Sequence, residues 1–180
     1  FLQAAAKIPG IYVPSLYEAS YHEDGTIASF APVEEGIPEK IQKQIVMEIT
    51  DTCYPKAPVV PFVKVTQDRV VLEIQRGCIR GCRFCQAGML YRPTREREVD
   101  FLKERAVEML DSTGHEEISL SSLSSSDYSQ LPELVSFLME ECGKRGVNIS
   151  LPYLRIDAFS LEVMKKVQDI RKSSLTFAPE

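Results

Sequence analysis

Three cysteines fall within one short stretch, Cys78-Ile-Arg-Gly-Cys82-Arg-Phe-Cys85, spaced C-x3-C-x2-C with no fourth cysteine following. Iron–sulfur clusters are held by cysteine thiolates, normally four of them. Three thiolates on one loop can hold a 4Fe–4S cluster and leave one iron without a protein ligand. An open coordination position is where a bound metal does chemistry, as the contrast between catalytic and structural zinc sites shows. Cys78, Cys82 and Cys85 are therefore the candidate metal ligands, and no catalytic side chain beyond them stands out. A zinc site would need a fourth ligand at finger-like spacing, and the nearest downstream, His115, stands alone. A disulfide framework fits worse, because five cysteines is an odd number and three of them are crowded together. Cys53 and Cys142 read as structural. Cys142 continues the apolar face of a helix, where a free cysteine behaves as a small hydrophobe.

A loop of this kind needs a scaffold. The chain has 180 residues, 44% of them apolar, and a formal net charge of −5. That suffices for one ordinary domain with a sizeable core and shows no overall bias toward nucleic acid or membrane. No run reaches the length of a membrane span, and no signal peptide is visible. Unpaired thiols suit a reducing cytoplasm. The chain opens on Phe1 inside what reads as a helix end and stops at Ala178-Pro179-Glu180, so we expect a segment of a longer protein.

Residues 1–69 read as a mixed lead-in or linker segment. Ile11-Tyr12-Val13 and Ile27 to Phe30 flank the turn signal Glu23-Asp24-Gly25, which predicts a hairpin. Val46 to Ile49 and Val59 to Val65 are possible strands in a stretch dotted with Pro32, Pro38, Pro55, Pro58 and Pro61. From residue 70 the pattern becomes regular. A strand over Val70 to Gln75 runs straight into Arg76-Gly77-Cys78. A helix over Glu98 to Thr113 stops at Gly114, and a strand spans Glu117 to Ser121. A second helix over Gln130 to Lys144 tolerates Pro132 in its first turn, and a strand follows over Val147 to Leu151. Ser160 caps a third helix, and Ser174 to Ala178 forms a fourth strand. Strands alternating with helices predict βαβ units and a parallel sheet over residues 70–180. These strands alternate, with Ile118 and Leu120 opposed to Ser119 and Ser121. One face then meets the helices, while the other lines a polar lumen, as in a barrel that holds a polar ligand. A one-sided antiparallel sheet with a wet face is the alternative.

In a (β/α) barrel the site lies at the carboxyl ends of the strands. Several residues fall there. Ser119 to Ser129 is a serine-rich stretch, which read by itself is a surface loop. Arg155 follows the third strand and would otherwise make an ordinary surface salt bridge, with Asp157 beside it. Glu180 ends the fourth strand. Arg76, Arg80, Arg83, Arg92, Arg95 and Arg97 crowd the cysteines. They would offset the charge of a thiolate-bound cluster; a nucleic-acid patch is the rival reading.

The cysteine spacing, with Phe84 before the last cysteine, resembles that of the radical S-adenosylmethionine (radical SAM) superfamily. Arg76 to Met89, Tyr91 to Arg95, Ser119 to Tyr128, Ser150 to Asp157 and Leu175 to Glu180 resemble one group within it. That group is the family of Fe–S oxidoreductases carrying an amino-terminal cobalamin-binding-like domain; Pro9-Gly-Ile-Tyr-Val-Pro14 matches its linker. The resemblance implies a partial parallel (β/α) barrel, here truncated after about four strands. It implies a 4Fe–4S cluster on the three cysteines and reductive cleavage of S-adenosylmethionine to a 5′-deoxyadenosyl radical. It assigns Phe84, Ser121, Ser122, Ser124, Arg155 and Glu180 to S-adenosylmethionine binding. The serines stand where the family has a glycine-rich segment, Arg155 would fork the ligand's carboxylate, and Glu180 would accept from its ribose or sulfonium side. It also implies an upstream cobalamin-type domain, possible use of cobalamin, and an electron donor such as flavodoxin or ferredoxin. It names no substrate.

Overall fold

The computed structural model describes residues 1–49, 54–152 and 154–155, and the backbone of 177–178. Contacts divide the chain into two compact units, Phe1–Met47 and Glu48–Glu180. The first opens with a short helix, α1 (Leu2–Ala6), and a 3-10 turn at Pro14–Leu16. An antiparallel hairpin follows, β1 (Tyr17–Tyr21) with β2 (Ile27–Pro32). The expected turn is present, with Gly25 at φ 81°. The first strand lies later than Ile11-Tyr12-Val13, however. Pro14 starts the 3-10 turn, and Val13 instead joins Ala6, Leu16 and Ile37 in a small core. The Tyr17 ring stacks on Phe30 across the hairpin, with centroids 5.5 Å apart.

The second unit holds β3 (Val70–Glu73), β4 (Gln75–Arg76), α2 (Gln86–Leu90), β5 (Arg95–Glu96) and α3 (Val99–Thr113). It continues with β6 (Glu117–Ser121), α4 (Leu131–Arg145), β7 (Asn148–Ser150), β8 (Leu154–Arg155) and β9 (Phe177–Ala178). Strands β3, β6 and β7 form a parallel sheet in that order. Val70, Ile118 and Ile149 share one row; Val71, Ser119 and Ser150 share the next. Successive side chains point to opposite faces, and the expected alternation is thus laid across the sheet. The apolar rows join α3 and α4 in one core, where Leu72, Leu102, Leu120, Leu134, Leu138 and Cys142 are fully buried. Burial pushes the Cys142 thiol up to about 11, consistent with a structural residue. Gly114 and Gly146 end α3 and α4 in the left-handed conformation, at φ 68° and 70°. Among the described residues, no helix is long and apolar enough to cross a membrane.

Several expectations need correction. The first strand is not continuous to Gln75: the chain leaves the parallel sheet after Glu73, and Gln75–Arg76 pairs with β5 instead. Val46 to Ile49 and Val59 to Val65 form no strand. Val59, Phe62 and Val63 are exposed, and Pro58 and Pro61 deprive that stretch of backbone donors. Of the strand expected over Ser174 to Ala178, Phe177–Ala178 is described, paired in parallel with Leu154–Arg155. The helix at Ser160, together with Cys53, Asp157 and Glu180, lies outside the described residues.

Candidate functional site

The cysteine loop is tied at its base. Gln75 pairs with Glu96 and Arg76 with Arg95 across the β4–β5 ladder, so residues 77–94 leave and return at one place. Gly77 makes this closure possible. Its φ is 86°, and a Cβ there would lie 2.6 Å from the Tyr91 carbonyl oxygen and 2.7 Å from that of Pro93. Only glycine tolerates both conditions.

All three loop cysteines are half-buried, with no disulfide among them. Each sulfur accepts an N–H. The Arg80 backbone donates to Cys78 Sγ at 3.4 Å, and the Gly88 backbone to Cys85 Sγ at 3.4 Å. The second bond arises because Cys85 is the N-cap of α2. Cys82 Sγ accepts from Arg155 Nη1 at 3.5 Å. Arg155 is buried on β8, and its own N–H donates to Ser126 Oγ at 3.3 Å. The loop after β6 thereby holds the backbone of the residue whose guanidinium meets Cys82.

That loop contains one turn of 3-10 helix, Ser125–Asp127. Asp127 takes a two-pronged bond from Arg80, with Nε to Oδ2 at 2.9 Å, and a further bond from Ser124 Oγ at 2.8 Å. The Arg80 bond comes first among the causes that hold the Asp127 carboxyl below its ordinary value, although burial opposes it. Ser124 is itself buried, and its carbonyl accepts from Gln75 Nε2 at 2.6 Å. Gln75 Oε1 is buried without a hydrogen-bond partner among the described residues.

Glu73 closes the carboxyl end of β3. Burial alone would raise its carboxyl, but Arg76 Nε at 2.8 Å and Arg97 Nη2 at 2.6 Å outweigh it and hold the group below its ordinary value. The Glu73 N–H donates to the Tyr54 hydroxyl at 2.6 Å, and the Arg97 guanidinium sits 4.5 Å over the Tyr54 ring. A cavity of about 570 Å³ opens here at the ends of β3 and β6, with Glu73, Gln75, Arg76, Arg95, Ser121 and Ser122 in its wall.

The predicted residues therefore divide. Cys78, Cys82 and Cys85 lie on one loop, and Arg155 reaches Cys82 Sγ by a hydrogen bond. Ser121 and Ser122 line the cavity, and Ser122 Oγ bonds Ser125 Oγ at 3.0 Å. Ser124 is committed to Asp127 and Gln75. Phe84 is mostly exposed. Several of the arginines around the cysteines make bonds within the protein: Arg76 and Arg97 hold Glu73, Arg80 holds Asp127, and Arg92 donates to the Arg80 carbonyl at 2.9 Å; Arg83 is exposed. Sequence reasoning missed Asp127, Glu73 and Gln75. For Asp127 a signal existed, since it is the one acid in the stretch from Ser119 to Ser129.

Among the described residues, no three His, Cys, Asp or Glu side chains converge where a single metal ion would sit. A cubane cluster asks for something else: each thiolate takes its own iron, so the sulfurs must surround a volume and not a point. The chemistry of the donor set is of the right kind: three thiols on one tied loop, each facing an N–H donor and one of them a guanidinium. Hydrogen bonds to the sulfurs are among the features that stabilise such clusters and set their potential.

A three-stranded parallel sheet with covering helices and a cysteine loop beyond the carboxyl end of its first strand defines a mixed α/β protein. The match to the radical SAM superfamily covers residues 72–180, more than half of the chain, and the chain belongs to that superfamily. An uncharacterized protein of Methanocaldococcus jannaschii is 37% identical over 110 residues, which make up 61% of this chain and 23% of that protein. The chain thus spans less than a quarter of that relative's length.

Proposed function

We propose that this chain is the core of a radical SAM enzyme in which Cys78, Cys82 and Cys85 hold a 4Fe–4S cluster. The chemistry such a group supplies when bound is one-electron cleavage of S-adenosylmethionine to a 5′-deoxyadenosyl radical. The observation that carries the reading is the cysteine loop itself, tied by the Gly77 closure and with an N–H aimed at each sulfur. The chain's own residues hold the loop, keep positive charge beside the sulfurs, and offer a polar cavity at the ends of β3 and β6. Ser121 and Ser122 lie where hydroxyls and backbone would meet a zwitterionic ligand; Phe84, Ser124, Arg155 and Glu180 complete the proposed set. The sheet continues into a partial (β/α) barrel in this reading. A cytoplasmic setting, an external one-electron donor of flavodoxin or ferredoxin type, and an upstream cobalamin-type domain in the parent protein belong to the same proposal.

The test is anaerobic reconstitution of the full-length protein with iron and sulfide, then reduction and addition of S-adenosylmethionine. We expect a cluster whose EPR spectrum changes on adding the ligand, and 5′-deoxyadenosine among the products. A cluster that ignores the ligand would leave an electron-transfer module instead, and failure to take up iron would sink the reading. Cys82→Ala should abolish normal assembly.

A further inference from the structure

We propose that Asp127 is a positioning residue for the cysteine loop: through Arg80 it holds the Cys78–Cys82 spacer against the loop after β6, and so sets how Cys82 meets Arg155. The inference rests on the cluster reading for its electrochemical consequence, but its geometry stands on the side chains alone.

Arg80 lies between the first two cysteines and is bonded at three points. Its N–H donates to Cys78 Sγ, its carbonyl accepts from Arg92, and its guanidinium forks onto Asp127. A bidentate fork onto a carboxylate fixes orientation as well as distance. The Asp127 side chain is only 7% exposed and that of Arg80 31%, so the carboxylate end of the pair is the sheltered one. Ser126, next in the chain to Asp127, accepts the Arg155 N–H, and the Arg155 guanidinium returns to Cys82 Sγ. The contacts close a ring: Cys82 to Arg155, to Ser126, along the chain to Asp127, across to Arg80, and back along the chain to Cys82. Asp127 is the only carboxylate in that ring. It both anchors the spacer and balances the charge of the Arg80 guanidinium that it faces.

Two consequences follow from removing it. Asp127→Asn keeps the shape but removes the negative charge that faces the Arg80 guanidinium, making the surroundings of the loop more positive by one charge. That favours the more negative, reduced form of a bound cluster and raises its midpoint potential. Asp127→Ala releases the spacer, and loss of a supporting partner of this kind costs about tenfold or more in metal retention.

The experiment compares wild type, Asp127→Asn, Asp127→Ala and Asp127→Glu in the full-length protein, with and without anaerobic reconstitution. Loaded protein is followed by EPR-monitored redox titration and by the rate of iron loss to a chelator. Metal-free protein is followed by the alkylation rate of Cys82 with iodoacetamide, located by peptide mass. We expect a higher midpoint potential in Asp127→Asn, about tenfold faster iron loss in Asp127→Ala, faster Cys82 alkylation in metal-free Asp127→Ala, and recovery towards wild type in Asp127→Glu. A wild-type potential in Asp127→Asn together with wild-type iron loss in Asp127→Ala would overturn the inference. If wild type takes up no cluster, the proposed function fails separately, and unchanged Cys82 alkylation in Asp127→Ala then overturns the role of Asp127 by itself.

Discussion

Arg155 carries two expectations that pull apart. Its place in the chain suggested a fork for the carboxylate of a bound ligand, yet its guanidinium lies against Cys82 Sγ. The two roles predict different measurements. If Arg155 acts on the sulfur, Arg155→Met removes a positive charge beside the cluster and lowers its midpoint potential before any ligand is added. A role confined to the ligand would leave that potential unchanged and weaken only S-adenosylmethionine binding. A redox titration in the absence of ligand, paired with a binding titration, separates them. The sign is opposite to that for Asp127→Asn, so the two variants check each other. The cysteine loop was legible from spacing alone, because its three cysteines are near in sequence. Asp127 was not, because its partner Arg80 is remote in sequence and one carboxylate among serines does not announce what it faces.

The cysteine loop depends on a closure that residue types only hint at. Gly77 precedes Cys78 directly, and its missing Cβ admits two carbonyls from the returning chain. Gly77→Ala forces an L residue into the left-handed region, which costs about 1–3 kcal/mol, and also drives a methyl into backbone that cannot easily yield. We expect a lower unfolding midpoint in denaturant and poor cluster retention in the same variant. A variant that assembled a normal cluster with wild-type stability would show that the loop ends part freely. The helices were easier to read. The apolar positions of α4 recur at helical spacing, and Leu134, Val135, Leu138 and Cys142 are indeed its buried face. Leu138→Ala should cost about 2–5 kcal/mol by leaving a cavity in that core, measured by chemical denaturation. By contrast, the two-residue strands β4 and β5 have no periodicity to detect and exist only because their partners lie opposite each other.

At the scale of the molecule, acid should unfold the metal-free protein through a small set of paired carboxylates. Glu73 and Asp127 are both held below their ordinary values when folded. A carboxyl whose folded value is depressed adds stability above its unfolded value, about 4, and loses that contribution as pH falls through the folded value. Stability should therefore decline as pH drops below about 4, and Glu73→Gln combined with Asp127→Asn should flatten that decline while lowering stability near neutrality. Denaturation midpoints measured across the acid range check the slope; an unchanged slope in the double variant would remove these pairs from the account. The sequence by itself determined the cysteine loop, the two long helices and the alternating strands of the parallel sheet, because each is written in short-range spacing: cysteines within one loop, apolar residues at 3.6 or 2. Tertiary structure alone decided that β3 ends at Glu73, that Phe177–Ala178 pairs with Leu154–Arg155, and that Arg80, Asp127, Ser126 and Arg155 join Cys82 in one ring. Those outcomes turn on which buried charges and backbone groups find partners across long separations in the chain, and that is a property of the packed molecule, which no local pattern encodes.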